Sequence, residues 1–308
     1  MKKIAVFFEQ PEFDDYPFDQ AEYRDAYHQF AARLHAKGGQ LIITRGDDSY
    51  LGSMRFARGW GWDGEKFVEL TEEFEVAVIY DKSNSAHKPP FYFESEAKVI
   101  NANPITEICN DKTKTYQLFK KFSPKIYIAL DDIQLDQAVK DIAGKRIVMK
   151  PLNSEGGEGV VIGTAAELRE AQNEFPVLIQ EFIDTSEGIP GIDAIDSHHD
   201  FRMVVIDGEI VQAFARTPAE GTLTANVAQG GASHEIPIDK IPPTAIEVVK
   251  EIDEKFQSYQ RVYSIDLGFE RGIPRLIELN SQPALFSEKR GKQFERFQEK
   301  LADVLLSF

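Results

Sequence analysis

Residues 146–163 limit the choice of fold more than any other stretch of this chain. Arg146 to Lys150 reads as a buried strand ending on a lysine, Asn153 to Gly159 is a loop carrying Gly156, Gly157 and Gly159, and Val160 to Gly163 reads as a second strand. So short a connection leaves no room for the crossover helix of a βαβ unit. Thr164-Ala-Ala-Glu167 then opens a helix as a capping box, with each side chain serving an orphan amide of the first turn. The two common nucleotide fingerprints, G-x-x-x-x-G-K-[ST] and a helix-opening G-x-G-x-x-G, are absent. A lysine feeding a glycine loop nevertheless suits phosphate, because glycines let amides approach phosphate oxygens and the lysine adds a point charge. Taken alone, the unit reads equally well as a strand-connecting turn with an exposed lysine.

On both sides the pattern is mixed α/β. Lys3 to Phe8, Gln40 to Thr44 and Glu75 to Tyr80 read as buried strands. An aromatic and acidic loop runs through Asp19, and Tyr23, Tyr27, Phe30, Ala31 and Leu34 recur at helical spacing over Ala21 to Ala36, before Gly38-Gly39. Leu51 to Leu70, with both tryptophans, predicts an irregular hairpin. Asp111 and its neighbours cap a helix expected to reach Phe122, and Val177 to Phe182 reads as a strand. Asp207-Gly208 is a two-residue hairpin signal between Phe201 to Ile206 and Ile210 to Phe214. Pro242-Pro243 precede a helix, Val262 to Phe269 and Arg275 to Leu279 pair as strands, and Phe294, Phe297, Leu301 and Leu305 mark a final amphipathic helix.

A length of 308 residues favours two domains or one divided domain. The net charge of -16 makes nucleic acid and membrane poor partners, and it makes local clusters of Lys and Arg informative. Cys109 is the single cysteine and reads as a small buried apolar residue; a lone thiol and the absence of a long apolar run favour a cytoplasmic protein.

Asp266 lies in Tyr-Ser-Ile-Asp-Leu-Gly, and Glu278 and Asn280 in Leu-Ile-Glu-Leu-Asn-Ser. On a strand, residues i and i+2 share a face, so Glu278 and Asn280 point together while Ile277 and Leu279 are expected to pack inward. Two carboxylates and an amide oxygen suit magnesium, which shares its octahedron with phosphates and water.

Val99-Ile-Asn-Ala-Asn-Pro104 running into Asn110-Asp-Lys112, then Lys150 to Val160, then Ile277 to Pro283 together resemble the ATP-grasp superfamily, in particular glutathione synthetase and the ribosomal-protein glutamate ligases. Asp200-Phe-Arg202, Phe214-Ala-Arg216 and Ala225-Asn226 through Gly231 fall between them in the family's order. The resemblance implies an α/β fold: a pre-ATP-grasp domain over 1–105, a first lobe with the phosphate lid over 106–184, and a C-terminal lobe with a metal site over 185–308. It implies that Lys112 and Lys150 hold the nucleotide phosphates with Ser154, Gly156 and Gly157, and that the backbone of Gln180, Glu181, Phe182 and Ile183 reads the adenine edge. Asp200 and Asn226 would be further nucleotide contacts, with Glu187 toward the ribose. Arg202 and Arg216 would neutralise the transferring phosphoryl group, and Asp266, Glu278 and Asn280 would hold two Mg2+ ions, with Mn2+ as a substitute.

The activity so implied is an ATP-dependent, ADP-forming carboxylate–amine ligase that passes through an acyl-phosphate and joins a small acid, amino acid or peptide to an amine. The alternatives are a kinase using the same nucleotide site and a nucleotide-binding module without turnover; a binder needs no charge clamp for phosphoryl transfer. The expected partners are small-molecule carboxylate and amine substrates, with self-association left open. Three segments depart from the family. Thr185 to His199 is an insertion expected over the acceptor site, Ala284 follows Pro283 where many relatives have glycine, and His198-His199 face opposite ways and read as loop surface. Pro89-Pro90-Phe91 is similar to a glutathione-synthetase segment near the acceptor site.

Overall fold

The computed structural model describes every residue except 84–86, 143–145, 153–158, 172–173, 224–229 and 286–290. Ser154, Gly156, Gly157 and Asn226 therefore lie outside the described residues.

The first unit runs β1 (Lys2–Phe8), α1 (Ala21–Ala36), β2 (Gly39–Arg45), β3 (Tyr50–Gly52), β4 (Arg55–Phe56), β5 (Gly59–Trp62), β6 (Phe67–Leu70), β7 (Phe74–Glu75), β8 (Val78–Asp81) and β9 (Val99–Ile100). Its main sheet has the order β6-β5-β2-β1-β8-β9, with β1 parallel to both β2 and β8. Of the stripe predicted for α1, Tyr27, Phe30, Ala31 and Leu34 are buried in the core shared with the sheet, Tyr23 is only partly buried, and Ala26 completes the buried face. The expected strand Glu75 to Tyr80 is divided. Phe74–Glu75 pairs with β4 in a small separate sheet, and only Val78 onward joins β1. Between Leu51 and Leu70 the hairpin is β5–β6, while Leu51 belongs to the small sheet.

The second unit contains α2 (Asn103–Asn110), α3 (Lys112–Leu118), β10 (Ile126–Ala129), α4 (Asp132–Ile142), β11 (Ile147–Pro151), β12 (Val161–Gly163), α5 (Ala165–Glu170) and β13 (Val177–Glu181). The strands form an antiparallel sheet in the order β10-β13-β11-β12. Thr164 and Glu167 make the reciprocal capping box at α5. The Asp111 carboxylate accepts from the amides of Thr113 and Lys114 and so starts α3, which stops at Leu118 rather than Phe122.

The third unit contains β14 (Asp200–Ile206), β15 (Glu209–Thr217), β16 (Ala232–Glu235), α6 (Pro243–Asp253), β17 (Val262–Glu270), β18 (Ile273–Asn280) and α7 (Gly291–Ser307). Its antiparallel sheet has the order β16-β15-β14-β17-β18. Asp207 and Gly208 both take positive φ, 45° and 84°, as a tight hairpin turn between right-twisted strands requires. One face of this sheet, with Phe201, Met203, Ala213, Ile265 and Leu267, is buried together with residues of α2 and α6, Cys109 among them. Alternate residues turn charged groups to the other face. Helix α7 joins this unit to the first, since Phe297 and Leu301 share a core with Phe30 and Ile4, and Arg33 of α1 donates to Gln298 and Glu299. Among the described residues no helix is long and apolar enough to cross a membrane.

Of the insertion Thr185 to His199, His199 lines the cleft and the residues before it do not. Ile189 and Ile195 are buried in the core behind β14 and β17, and the Ile189 amide bonds the Ile195 carbonyl at 2.9 Å. The two isoleucines supply the apolar surface that draws the segment onto the sheet. Gly188 makes its turn with φ of 75°, and a Cβ added there would meet the Ile195 carbonyl oxygen at 2.1 Å. Gly188→Ala should therefore cost about 2–3 kcal/mol in denaturant unfolding, the range for a forced backbone conformation in a packed segment. Nucleotide binding should be unchanged, and a loss below about 0.5 kcal/mol, the scale of a neutral surface change, would show that the segment is loose.

Candidate active site

A cleft of about 1260 Å³ opens between the sheet of the second unit and the charged face of the third, and the first unit closes one end with Phe8, Tyr27 and Lys82. From the upper side come Lys112, in the first turn of α3, and Lys150, next to last in β11. Lys112 Nζ donates to the Leu152 carbonyl at 3.3 Å. Burial pulls the Lys150 ammonium down to about 8; Glu278 opposes that shift and Lys112 adds to it. Val148, Ile162, Leu178, Phe182 and Ile183 give this end apolar walls.

The floor is a row of charge laid down by strand register. Arg202 on β14 stands opposite Asp266 on β17, which stands opposite Glu278 on β18, while Asp200 stands opposite Arg216 on β15. Arg202 grips Asp266 with two bonds, Nε to Oδ1 at 2.6 Å and Nη2 to Oδ2 at 2.5 Å. Arg216 Nη2 donates to Asp266 Oδ2 at 2.8 Å and to Asp200 Oδ2 at 2.5 Å. Arg202 also lies 3.6 Å from Glu278 Oε1. Two guanidinium groups thus serve three carboxylates. Burial pushes Asp266 upward, but the two arginines outweigh it and hold the carboxyl below its ordinary value. Burial and the neighbouring Asp266 raise Glu278, and the same two causes push Asp200 up to about 7 against the pull of both arginines. Among the described residues, Asp200 Oδ1 and Arg216 Nε are buried without a partner. The network is not closed on itself, which leaves an acceptor and a donor for a ligand.

A bulge sets the aim of Glu278. Register slips between the pairs Asp266 with Glu278 and Leu267 with Leu276, leaving Ile277 as the extra residue. Ile277 consequently lines the cleft instead of packing inward with Leu279, and Leu276 enters the core in its place. Asn280 lines the cleft, and its Oδ1 accepts the Gln282 amide at 2.7 Å. The donors are all hard oxygens, a set that fits magnesium and not a soft metal. Glu278 and Asn280 reach the cleft, while Asp266 is 1% exposed and both its oxygens are held by guanidinium. Among the described residues no group of three or more His, Cys, Asp and Glu has metal-holding geometry; the third donor here is an amide.

Gln180, Phe182 and Ile183 line the cleft, but the Glu181 side chain does not. Its carboxylate accepts from the Lys125 amide and from Arg275, and its own amide donates to the Lys125 carbonyl at 2.9 Å. Glu187 is exposed on the insertion and does not line the cleft. His199 is not loop surface: it is 3% exposed and lines the cleft beside Asp200. Its Nε2 accepts the Phe269 amide at 3.2 Å, so the ring is neutral and Nδ1 donates to the Ser197 carbonyl at 3.0 Å. Burial accordingly lowers its pKa. Phe91 does not line the cleft either; it sits in the core of the first unit against Phe7 and Tyr50.

Two residues that hold the loop beside the site carry no individual signal that the sequence reading used. Lys82 Nζ donates to the Gln282 and Pro283 carbonyls at 2.9 and 3.0 Å, and Asn101 Nδ2 donates to the Val262 and Ser281 carbonyls, each at 2.6 Å. Both residues belong to the first unit and hold the loop that follows Asn280. Asn101 lies inside the motif Val99 to Pro104; nothing local marks Lys82.

A cleft between an antiparallel sheet that presents two lysines and a second sheet floored with acids and arginines is the ATP-grasp arrangement. Solved structures share the fold across nearly the whole chain. The D-alanine–D-alanine ligase from Bacillus anthracis complexed with ATP superposes with a TM-score of 0.64 at 14% identity, covering 100% of this chain and 97% of that one. The RimK domain protein ATP-grasp from Sphaerobacter thermophilus gives 0.60 at 13%, covering 99% of each. Residues 109–299, more than half of the chain, match the family model of the RimK-like ATP-grasp domain, and the protein belongs to that family. A probable alpha-L-glutamate ligase of Psychromonas ingrahamii is 28% identical over 196 residues, 60% of this chain. The chain spans 60% of the length of that relative and 41% of a Shewanella pealeana relative of the same description.

The floor predicts unequal costs for two similar substitutions. Asp266→Asn strips the carboxylate from two guanidinium groups and should lose about 3–5 kcal/mol in denaturant unfolding. Glu278, with a side chain 40% exposed, should tolerate Gln within about 0.5 kcal/mol. Equal losses would mean that the two carboxylates are not divided into a structural and a cleft-facing member.

Proposed function

We propose that the chain is an ATP-dependent, ADP-forming ligase that joins a carboxylate to an amine through an acyl-phosphate. The observation that carries this reading is the opposition, across one cleft, of Lys112 and Lys150 above to Arg202, Arg216, Asp266, Glu278 and Asn280 below. Attack of a carboxylate on a triphosphate brings anion to anion, so the residues around it must supply positive charge at fixed positions.

In this reading Lys112 and Lys150 hold the phosphates beneath the lid, which includes Ser154, Gly156 and Gly157. The backbone of Gln180, Phe182 and Ile183 reads the adenine edge. The Glu181 amide is already bonded to Lys125, so that reading does not depend on it. Arg216, with Nε free of a partner among the described residues, turns toward the transferring phosphoryl group, and Arg202 holds Asp266 charged beside it. Asp200 and Asn226 complete the nucleotide contacts. Glu278 and Asn280, with Asp266 behind them, would hold the magnesium ions, two in number. When bound, magnesium supplies further neutralising charge on the phosphates. We assign 1–105 to the pre-ATP-grasp domain, 106–184 to the lobe with the lid and 185–308 to the lobe with the metal ligands. Cys109, the single cysteine, is free and buried, and a chain with no cysteine pair suits a reducing cytoplasm.

Relatives described as probable alpha-L-glutamate ligases make L-glutamate the first amine to test. The acid remains a small acid, an amino acid or a peptide. No observation favours a kinase or a module without turnover.

The test of the reaction class is a screen of acids and peptides with L-glutamate and other amines, following ADP, phosphate and product mass together. ADP and free phosphate should appear in step with a condensed product; a stable phosphorylated product without free phosphate would sink the reading. Glu278→Gln should lower turnover by at least ~10²-fold, the scale of one lost preorganised electrostatic group.

Lys150 binds phosphate as the ammonium, which persists below about pH 8. MgATP affinity should therefore weaken between pH 7 and pH 9, and Lys150→Ala should remove both that dependence and most of the MgATP-induced rise in melting temperature. An undiminished rise in the variant would place the phosphates elsewhere.

A further inference from the structure

We infer that Arg275 is a positioning residue that ties the adenine-reading hinge to the strand of the metal ligands, so that nucleotide affinity is set in part by an ion-pair chain outside the cleft. The inference rests on the nucleotide site proposed above.

Arg275 lies on β18, three residues before Glu278. Its Nη2 donates to Glu181 Oε2 and to the Ser123 carbonyl, both at 3.3 Å, and its Nη1 donates to Glu270 Oε2 at 3.3 Å. The two carboxylates it joins bracket the hinge. Glu181 is the last residue of β13 and accepts the Lys125 amide at 3.2 Å. Glu270 is the last residue of β17, and its other oxygen accepts the Asp184 amide at 3.2 Å. Phe182 and Ile183, which face the cleft, thus lie between two points held by one guanidinium. The Leu276 amide, bonded to the Phe122 carbonyl at 2.9 Å, adds a backbone tie at the same junction.

None of Arg275, Glu181 and Glu270 lines the cleft, so none is placed to touch the nucleotide. Their side chains are 24%, 37% and 28% exposed, and ion pairs so placed do little for global stability. What the chain fixes is relative position. Hinges are the few residues that absorb backbone change when lobes move, and Arg275 limits that freedom on the side from which β18 carries Glu278 and Asn280. Without the guanidinium, Glu181 and Glu270 would be left as uncompensated like charges on either side of the hinge.

The experiment compares the full-length wild type with Arg275→Met, Arg275→Lys and Glu181→Gln, measuring the MgATP dissociation constant by calorimetry, and KM for ATP and kcat once a substrate pair is known. Arg275→Met should raise both the dissociation constant and KM about fivefold, within the range of couplings carried through packed networks, with kcat at saturating ATP within about twofold. Arg275→Lys should recover part of the loss, and the double variant with Glu181→Gln should be no worse than Arg275→Met alone. Glu181→Gln alone should raise the dissociation constant in the same direction, which keeps the test available if Arg275→Met does not fold. Unchanged MgATP affinity in both single variants, with the wild type binding normally, overturns the inference and leaves the ligase reading intact. A wild type that binds no MgATP overturns the nucleotide site itself, and the inference with it.

Discussion

The salt bridge between Arg202 and Asp266 is the interaction on which the active-site lobe is arranged. An ionised carboxylate that is 1% exposed loses its hydration, and the penalty is met only by partners in good geometry. The bidentate grip of Arg202 and the single bond from Arg216 provide that geometry, and both depend on antiparallel register. A slip of one residue would turn Arg202 or Asp266 to the apolar face among Phe201, Met203 and Ile265, leaving a bare charge in the core. The same row places Glu278 beside Asp266, where two carboxylates repel unless positive charge stands nearby. Protein supplies two such charges for three acids, and the unsatisfied remainder faces the cleft.

Elements with local chemistry were legible in the sequence. The stripe of α1, the capping box Thr164 to Glu167 and the turn Asp207-Gly208 are each specified by residues within one or two turns of one another, and each forms as read. The stripe Leu135, Ala138, Val139 and Ile142 of α4, and Pro104 in the first turn of α2, were equally local signals that went unread. The misreadings are of another kind. The bulge at Ile277 depends on how β18 meets β17, and period-2 reasoning along one strand cannot register an extra residue. The insertion is expected over the acceptor site because it departs from the family there, but where it packs is decided by Ile189 and Ile195, which are buried in the core of the third unit. His199 gave no sign of burial, since its partners, Phe269 and Ser197, become neighbours only in the folded sheet.

The candidate site was legible to a different degree from the fold. Residue types and spacing marked Asp266, Glu278 and Asn280 as candidates and the family resemblance added Arg202 and Arg216; the sheet sets Arg202, Asp266 and Glu278 in one row, with Arg216 opposite Asp200 two residues along. Spacing could not divide their labour. Asp266 is locked beneath the floor by arginines while Glu278 is open to the cleft, a distinction that comes from burial and from the bulge.

β18 is where the three units meet. Asn101 and Lys82 of the first unit hold the backbone just beyond Asn280, and Arg275 joins the other end to the sheet of the second unit. A strand gripped at both ends by different units holds the residues it carries in a position set by both. The family match begins at residue 109 and so leaves out the unit that supplies Lys82 and Asn101. That unit contributes Phe8, Tyr27 and Lys82 to the cleft wall. Among the described residues, Lys82 and Asn101 reach the end of β18 through backbone carbonyls of Val262, Ser281, Gln282 and Pro283, so this unit fixes the position of the strand without pairing with its charged side chains.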